Sequence, residues 1–488
     1  MRTLVREIET EHTPLSLASL LKDETGVVLL QSALFHGPEV RFSYVAFNPF
    51  LRFEAHGSRC QVASKHHKSE HFCNPWVLLE DLMQKYELLE DSDQPFPLGG
   101  VFGYWGYELN RSLSSKLTSK AERDLELPDL CVGFYDSLCV FDHQLNKAFI
   151  VSTGMEADGS RSSERALQEL RRWEGILTLE VPPLEVASRS VRLNEGDVIS
   201  NMSRESFVRR VSRAKKYINS GDVYQINLSH RLEVEVEAAG FDLYRRLTEV
   251  SPSPYAAFLQ FGSLEIASAS PESFLRLSGR HIRTRPIKGT RPRAADPEED
   301  ARLTYELQSS QKELAELVMI TDLLRNDLGQ ICEYGSVSVP ELIRLERYPQ
   351  VQHLVSTVEG RLRPDLSHTQ ALAASFPGGS ITGAPKLRAM QLIDELETLA
   401  RGPYTGAIGF IGFNQESHLS IAIRTAVKQG GKVYFSVGAG IVSDSDPEAE
   451  YEETLAKGRG FIEALGLGQR NELERRRGIQ PKRSVDRF

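Results

Sequence analysis

Over the first 150 residues, apolar and polar positions alternate in short runs: "GVVLLQSALF", "RFSYVAF", "DLCVGFYDSLCVFD" and "KAFIVST". A period of two predicts strands. "FPLGGVFGYWGYELN" is rich in glycine and aromatics, which predicts close backbone packing rather than a dinucleotide loop. The period then lengthens, and residues 162–176 predict a helix. The paired prolines of "EVPPLEVASRS" predict a connector. A second helix is predicted after Ser203, a capping residue, and ends before Gly221. Strands resume at "VYQINLSHRLEVEVE", "YAAFLQFG", "LEIASAS" and "ESFLRLSG".

Beyond residue 300, helices are predicted at 311–328, 385–400 and 447–465. Strands are predicted at "TGAIGFIGF", "LSIAIRTAVKQ" and "KVYFSVGAGIV". Strands dominate, and helices do not alternate strictly with them. That predicts an α+β fold with antiparallel sheets. The expected organisation is a β-rich region over 1–150, a connector over 151–200, a main domain over 201–466 and a mobile basic tail over 467–488. No internal sequence repeat is visible.

A net charge of -9 argues against a general nucleic-acid binder. Cys60, Cys73, Cys131, Cys139 and Cys332 lack CxxC spacing, so neither a disulfide framework nor a zinc site is indicated. No apolar run approaches the roughly 18 residues that span a bilayer. The N-terminus also lacks a secretion signal, and the expected location is the cytoplasm.

Three features carry candidate chemistry. Glu313 and Glu316, and again Glu450 and Glu453, are spaced i, i+3 on predicted helices. They are either solvated faces or oxygen ligands for one divalent cation, and such ligands favour magnesium. "SFPGGSITGAPKLRAM" and "SVGAGIVSDSDPEAE" are glycine-rich and run toward helices. They form either tight turns or backbone nests for an anion, with Arg424, on a predicted strand, available to grip a carboxylate. The third is Lys288 in "RTRPIKGTRPR", among Arg283, Arg285, Arg291 and Arg293. It is a surface cation, or a nucleophile whose pKa the four arginines lower by repulsion.

The ordered stretches "GDVYQINLS", "SPSPYAAFL", "ASPESFLRL", "PIKGTRPR", "KELAELVMITDLLRNDLG", "HLVSTVEG", "FPGGSITGAPKLRAM", "YTGAIGF" and "SVGAGIVSDSDPEAEYEET" cover most of residues 200–465. In them the chain resembles the chorismate-utilising enzymes. The resemblance implies two large packed antiparallel β-sheets with surrounding helices. Lys288, where the anthranilate branch typically has alanine, resembles the aminodeoxychorismate synthase branch. The implied activity is amination of chorismate at C4 for para-aminobenzoate and folate synthesis, with a downstream aminodeoxychorismate lyase. The implied roles are nucleophile for Lys288 and general acid for Glu272. Glu313, Glu316, Glu450 and Glu453 are implied as ligands of Mg2+. Arg424, Thr382, Gly383, Gly438 and Gly440 would hold carboxylates, with Tyr404 and His353 lining the pocket.

Gln225 stands where the isochorismate and salicylate branches carry a water-activating lysine, so ammonia is the expected nucleophile. No cysteine–histidine glutaminase signature is visible, which implies a separate glutamine amidotransferase subunit as the ammonia source. "LLQS", with Gln31 and Ser32, departs from the "LLES" of the anthranilate branch, so a tryptophan site is not implied. The rival readings are anthranilate synthase component I and, from a different class, a non-catalytic binder of anionic ligands.

Overall fold

The computed structural model describes residues 2–32, 40–88, 93–117, 120–181, 198–236, 238–348 and 350–466. The expected mobile tail and residues 182–197 of the expected connector lie outside the described residues.

The fold is α+β: two antiparallel sheets of 12 strands each, packed face to face with helices outside. Strands such as Leu130–Tyr135, Ser137–Asp142 and Ala407–Gly412 are buried at every position, because one face meets the opposite sheet and the other is covered. The core between the sheets is dense with aromatics, Trp105, Tyr135, Phe53, Phe102, Phe134 and Phe413 being almost wholly buried. Each contributes about 1.5–3 kcal/mol of transfer free energy.

Both sheets are built in mirrored order about a central pair of strands. In the first sheet, Val28–Gln31 lies beside Tyr255–Phe261 at the centre. Outward on one side come Phe42–Ala46, Ser137–Asp142, Lys147–Ser152 and Leu4–Ile8; on the other come Leu264–Ser270, Thr425–Gln429, Lys432–Ile441 and Gln225–Glu235. The second sheet is centred on Gly100–Trp105 beside Ala407–Gly412, with four further strands on the first side and six on the second, counting Ser338–Arg347, which pairs off the main path. The architecture is therefore a tandem repeat of topology that the sequence did not display. Each sheet takes strands from both sides of the 151–200 stretch.

Gly103 and Gly409 face one another across the second seam. Their φ values of 154° and 156° and the carbonyls of Cys131 and His418, 2.2 and 2.1 Å from any added Cβ, require glycine at both. The close packing read from "GGVFGYWG" is this seam.

The repeat has a consequence for the chain path. In each half, one strand leaves the first sheet for the second and another returns. In the N-terminal half these crossings fall at 47–50 and at Asp136; in the C-terminal half they fall at Pro271–Glu272 and at 422–424. The C-terminal crossings are tied by Ile421 N to Glu272 O (3.0 Å) and Ala269 N to Arg424 O (2.9 Å).

Of the predicted helices, Ser163–Leu177, Arg204–Asn219, Gln311–Gly329 and Pro447–Ala464 form as expected. The helix expected over 385–400 is shorter, Lys386–Leu396, because Glu397 turns extended and its carboxylate pairs with Arg401.

Candidate active site

The two C-terminal crossings deliver Glu272 and Arg424 to one cavity of about 530 Å³. Arg424 is not on a strand, contrary to expectation. It sits in the break where the chain changes sheets, with φ 48°, a left-handed conformation uncommon for arginine. Among the described residues no carboxylate is found to pair with its guanidinium. Burial alone lowers its pKa. A buried cation without a counter-ion is costly and suits an anionic ligand.

Glu272 is 6% exposed. Burial pushes its pKa up to about 7, against the opposing pull of a hydrogen bond with Ser380 and the charge of Lys288. That places it where a carboxyl can donate a proton near neutrality.

Lys288 lies on the strand Ile287–Pro292 and lines the same cavity, its Nζ 3.8 Å from Glu316 Oε2. The crowd of positive charge expected around it is not realised. Arg283 is answered by Glu359 (3.8 Å), Arg285 by Glu346, Arg291 by Glu313 (3.6 Å) and Arg293 by Asp300 (2.8 Å). These carboxylates come from other elements, so like-charge repulsion by the arginines is not the device that tunes the site.

Glu313, Glu316 and Glu453 line the cavity; Glu450 stands behind them, 4% exposed. Burial raises Glu316 and Glu450, each helped by the charge of Glu453. Burial also pushes Glu453 up, but its ion pair with Lys457 (2.7 Å) leaves it below its ordinary value. Glu450 Oε2 is buried without a partner. Mutually opposed carboxylates with an orphaned oxygen fit a hard cation such as magnesium. Among the described residues no three acidic, histidine or cysteine side chains are already gathered in a metal-binding cluster. The ammonium groups of Lys288 and Lys457 stand against two of the glutamates instead.

Gly438, Gly440, Tyr404 and His353 also line the cavity. His353 is pushed down to about 4 by burial, with Arg424 adding to the effect, so it is neutral at pH 7; Thr290 Oγ1 holds its Nδ1 at 2.8 Å. Thr382, Gly383 and Gln225 form the layer behind. Thr382 is fully buried, and its hydroxyl donates to Gly378 O (3.0 Å). Gly383 packs so closely that an added Cβ would meet Gln225 O at 2.1 Å. From that loop it is Ser380 and Ile381 that reach the cavity. Sequence reading passed over Ser380, Asn227, Lys312 and Lys457, all cavity residues. Only Lys457 carried a signal, lying i, i+4 from Glu453.

Gln31 and Ser32 line a separate cavity of about 70 Å³, and Tyr244 donates to Gln31 Oε1 at 3.0 Å. No helix among the described residues is long and apolar enough to cross a membrane.

Residues 31–463 match the family described as chorismate binding enzyme. The chain is 38% identical over 464 residues to anthranilate synthase component 1 of Acetivibrio thermocellus, covering 93% of this chain and 92% of that protein. It is 36% identical over 439 residues to aminodeoxychorismate synthase component 1 of Escherichia coli K12, covering 90% and 93%. The crystal structure of anthranilate synthase component I from Streptococcus pneumoniae superimposes with a TM-score of 0.75 at 33% identity, covering 87% of this chain and 93% of that one.

Proposed function

The chain belongs to the chorismate-binding enzyme family, and we propose that within it this protein aminates chorismate at C4, giving 4-amino-4-deoxychorismate. The observation that carries the reading is Lys288 in the same cavity as a buried Glu272 near pKa 7, with unpaired Arg424 beside them.

In this reading Arg424 and the nest at Gly438 and Gly440 hold the substrate's carboxylates. Lys288 Nζ forms a bond to C2, the ring double bonds shift, and the C4–O bond breaks. The departing hydroxyl takes the Glu272 proton and leaves as water. Ammonia adds at C4, the double bonds shift back, and the C2–N bond breaks to return the lysine amine. The surplus proton on the new amine passes to the Glu272 carboxylate. Two easier displacements replace one difficult one. Magnesium held by Glu313, Glu316, Glu450 and Glu453 would supply positive charge to orient and neutralise one substrate carboxylate. The ammonia comes from a separate glutamine amidotransferase, and the enzyme works in the cytoplasm.

The test is intact-mass analysis with chorismate and magnesium but no ammonia. A chorismate-derived adduct that disappears in Lys288→Ala is expected; an unmodified chain sinks the lysine route. The names of the relatives are divided between aminodeoxychorismate synthase and anthranilate synthase, and the latter supply a second reading, anthranilate synthase component I. A product assay separates the two, since anthranilate appears directly whereas aminodeoxychorismate needs an added lyase to yield para-aminobenzoate.

A further inference from the structure

The glycine-rich loop over 376–385 joins the end of the helix His368–Ser375 to the start of the helix Lys386–Leu396. Its tip brings Ser380 and Ile381 into the main cavity, and Ser380 hydrogen-bonds Glu272. An added Cβ at Gly378 would stand 2.6 Å from Ile421 Cδ1, at the sheet crossing. One at Gly379 would stand 2.6 Å from Leu323 Cδ2, on the helix Gln311–Gly329. The loop is therefore wedged between the crossing that carries Glu272 and the helix that carries Glu313 and Glu316.

One side chain closes the base of this loop. Lys386 Nζ donates to Ser375 O at 2.9 Å, tying the residue after the loop to the residue before it. It also donates to Asp327 Oδ2 at 2.7 Å, and Asp327 belongs to the helix Gln311–Gly329. The two side chains are 16% and 6% exposed, and breaking so enclosed a pair strands a charge. Neither residue lines the cavity. Neither charge acts on Glu272 directly: apart from burial, its proton affinity is set by Ser380, Lys288 and the Ile287 N–H. Lys312, Glu313, Glu316, Glu453, Lys457, Arg291, His353 and Arg424 line the same cavity without shifting it.

We propose that Asp327 and Lys386 are positioning residues, holding the base of the loop so that the Ser380 hydroxyl stays on the Glu272 carboxyl. This rests on the reading of Glu272 as general acid. The Ser380 bond favours the ionised carboxylate and opposes the effect of burial. Once the base is loosened and that bond lost, Glu272 keeps its proton to higher pH.

The test follows chorismate consumption by the full chain with magnesium and ammonium salts across pH, so the identity of the product does not enter. The readout is the fall of kcat as pH rises through the Glu272 pKa. In Lys386→Met and in Asp327→Ala this fall should move up by roughly half a pH unit or more, the net worth of one hydrogen bond. Ser380→Ala should move it as far, and adding Lys386→Met to Ser380→Ala should move it no further. A fall that stays in place in both pair variants overturns the proposal; where one of them fails to fold, the other decides. A second full shift in the double variant also overturns it, because the pair would then act by another route than Ser380. A wild type whose kcat does not fall near pH 7 is a different failure, which defeats the acid reading of Glu272 and the positioning role with it.

Discussion

The two halves of the molecule make the same crossing between sheets and close it differently. In the N-terminal half, Asp136 at the crossing is 3% exposed, and burial pushes its pKa up to about 6. Arg165, from the helix Ser163–Leu177, reaches it at 3.1 Å, and Phe50, Tyr86, Phe134 and Phe413 pack the crossing with rings 5.1–6.4 Å apart. The C-terminal crossing buries Glu272 almost as deeply and Arg424 only in part, supplies neither with an ion-pair partner among the described residues, and opens both onto a cavity. The same backbone device is a sealed joint in one half and a candidate reaction chamber in the other. Chemistry sits where the fold declines to satisfy its own charges.

The strongest way to break that contrast is to neutralise the open side. Glu272→Gln is expected to lower kcat about 10²–10⁴-fold, the usual contribution of a general acid. Chorismate affinity should be largely kept. In the wild type, kcat should fall as pH rises through about 7, where Glu272 loses its proton. A stopped-flow or coupled assay across pH checks both, and an unchanged profile in Glu272→Gln contradicts the assignment.

On the sealed side, Arg165→Ala should cost about 3 kcal/mol of unfolding free energy, the low end for a broken buried pair because Arg165 keeps a quarter of its side chain exposed. The loss should shrink below pH 6, where Asp136 takes a proton. Urea titration at pH 5 and 8 measures it, and chorismate binding should not move.

Glu272→Gln should also stabilise the protein. A carboxyl whose folded pKa is raised favours folding in its protonated form, so its ionisation costs stability as pH rises from 4.5 to about 7. At about 1.4 kcal/mol per unit, the amide should gain roughly 3–3.5 kcal/mol at pH 8 and nothing below pH 4.5. A Tm series reads the difference.

Smallest is Phe413→Leu, which loosens the sealed aromatic cluster by about 1 kcal/mol with no effect on turnover.

Parts of this contrast were legible in the chain and parts were not. The i, i+3 spacing of the glutamates placed each pair on one helix face, whereas the role of Glu272 was legible only through the family resemblance. Arg424 read as a strand residue because "LSIAIRTAVKQ" is uniformly strand-like; the break is imposed by the change of sheet, a non-local event. The arginines around Lys288 looked like an uncompensated cluster because Glu346 and Glu359 are remote in sequence. The helix Gly240–Val250 escaped notice because it opens on glycine, with no side-chain cap. The tandem topology left almost no trace in the sequence, since only backbone pairing is repeated.

The facing glycines of the seam carry one more implication. Both central strand pairs join the first half of the chain to the second, so each half completes the other's hydrogen-bond ladder. A fragment starting after residue 198 would present Tyr255–Phe261 and Ala407–Gly412 as bare, apolar edges. Such edges recruit other strands indiscriminately. Severed halves should self-associate into aggregates unless they are made together, and mixing them during refolding is the way to rescue either.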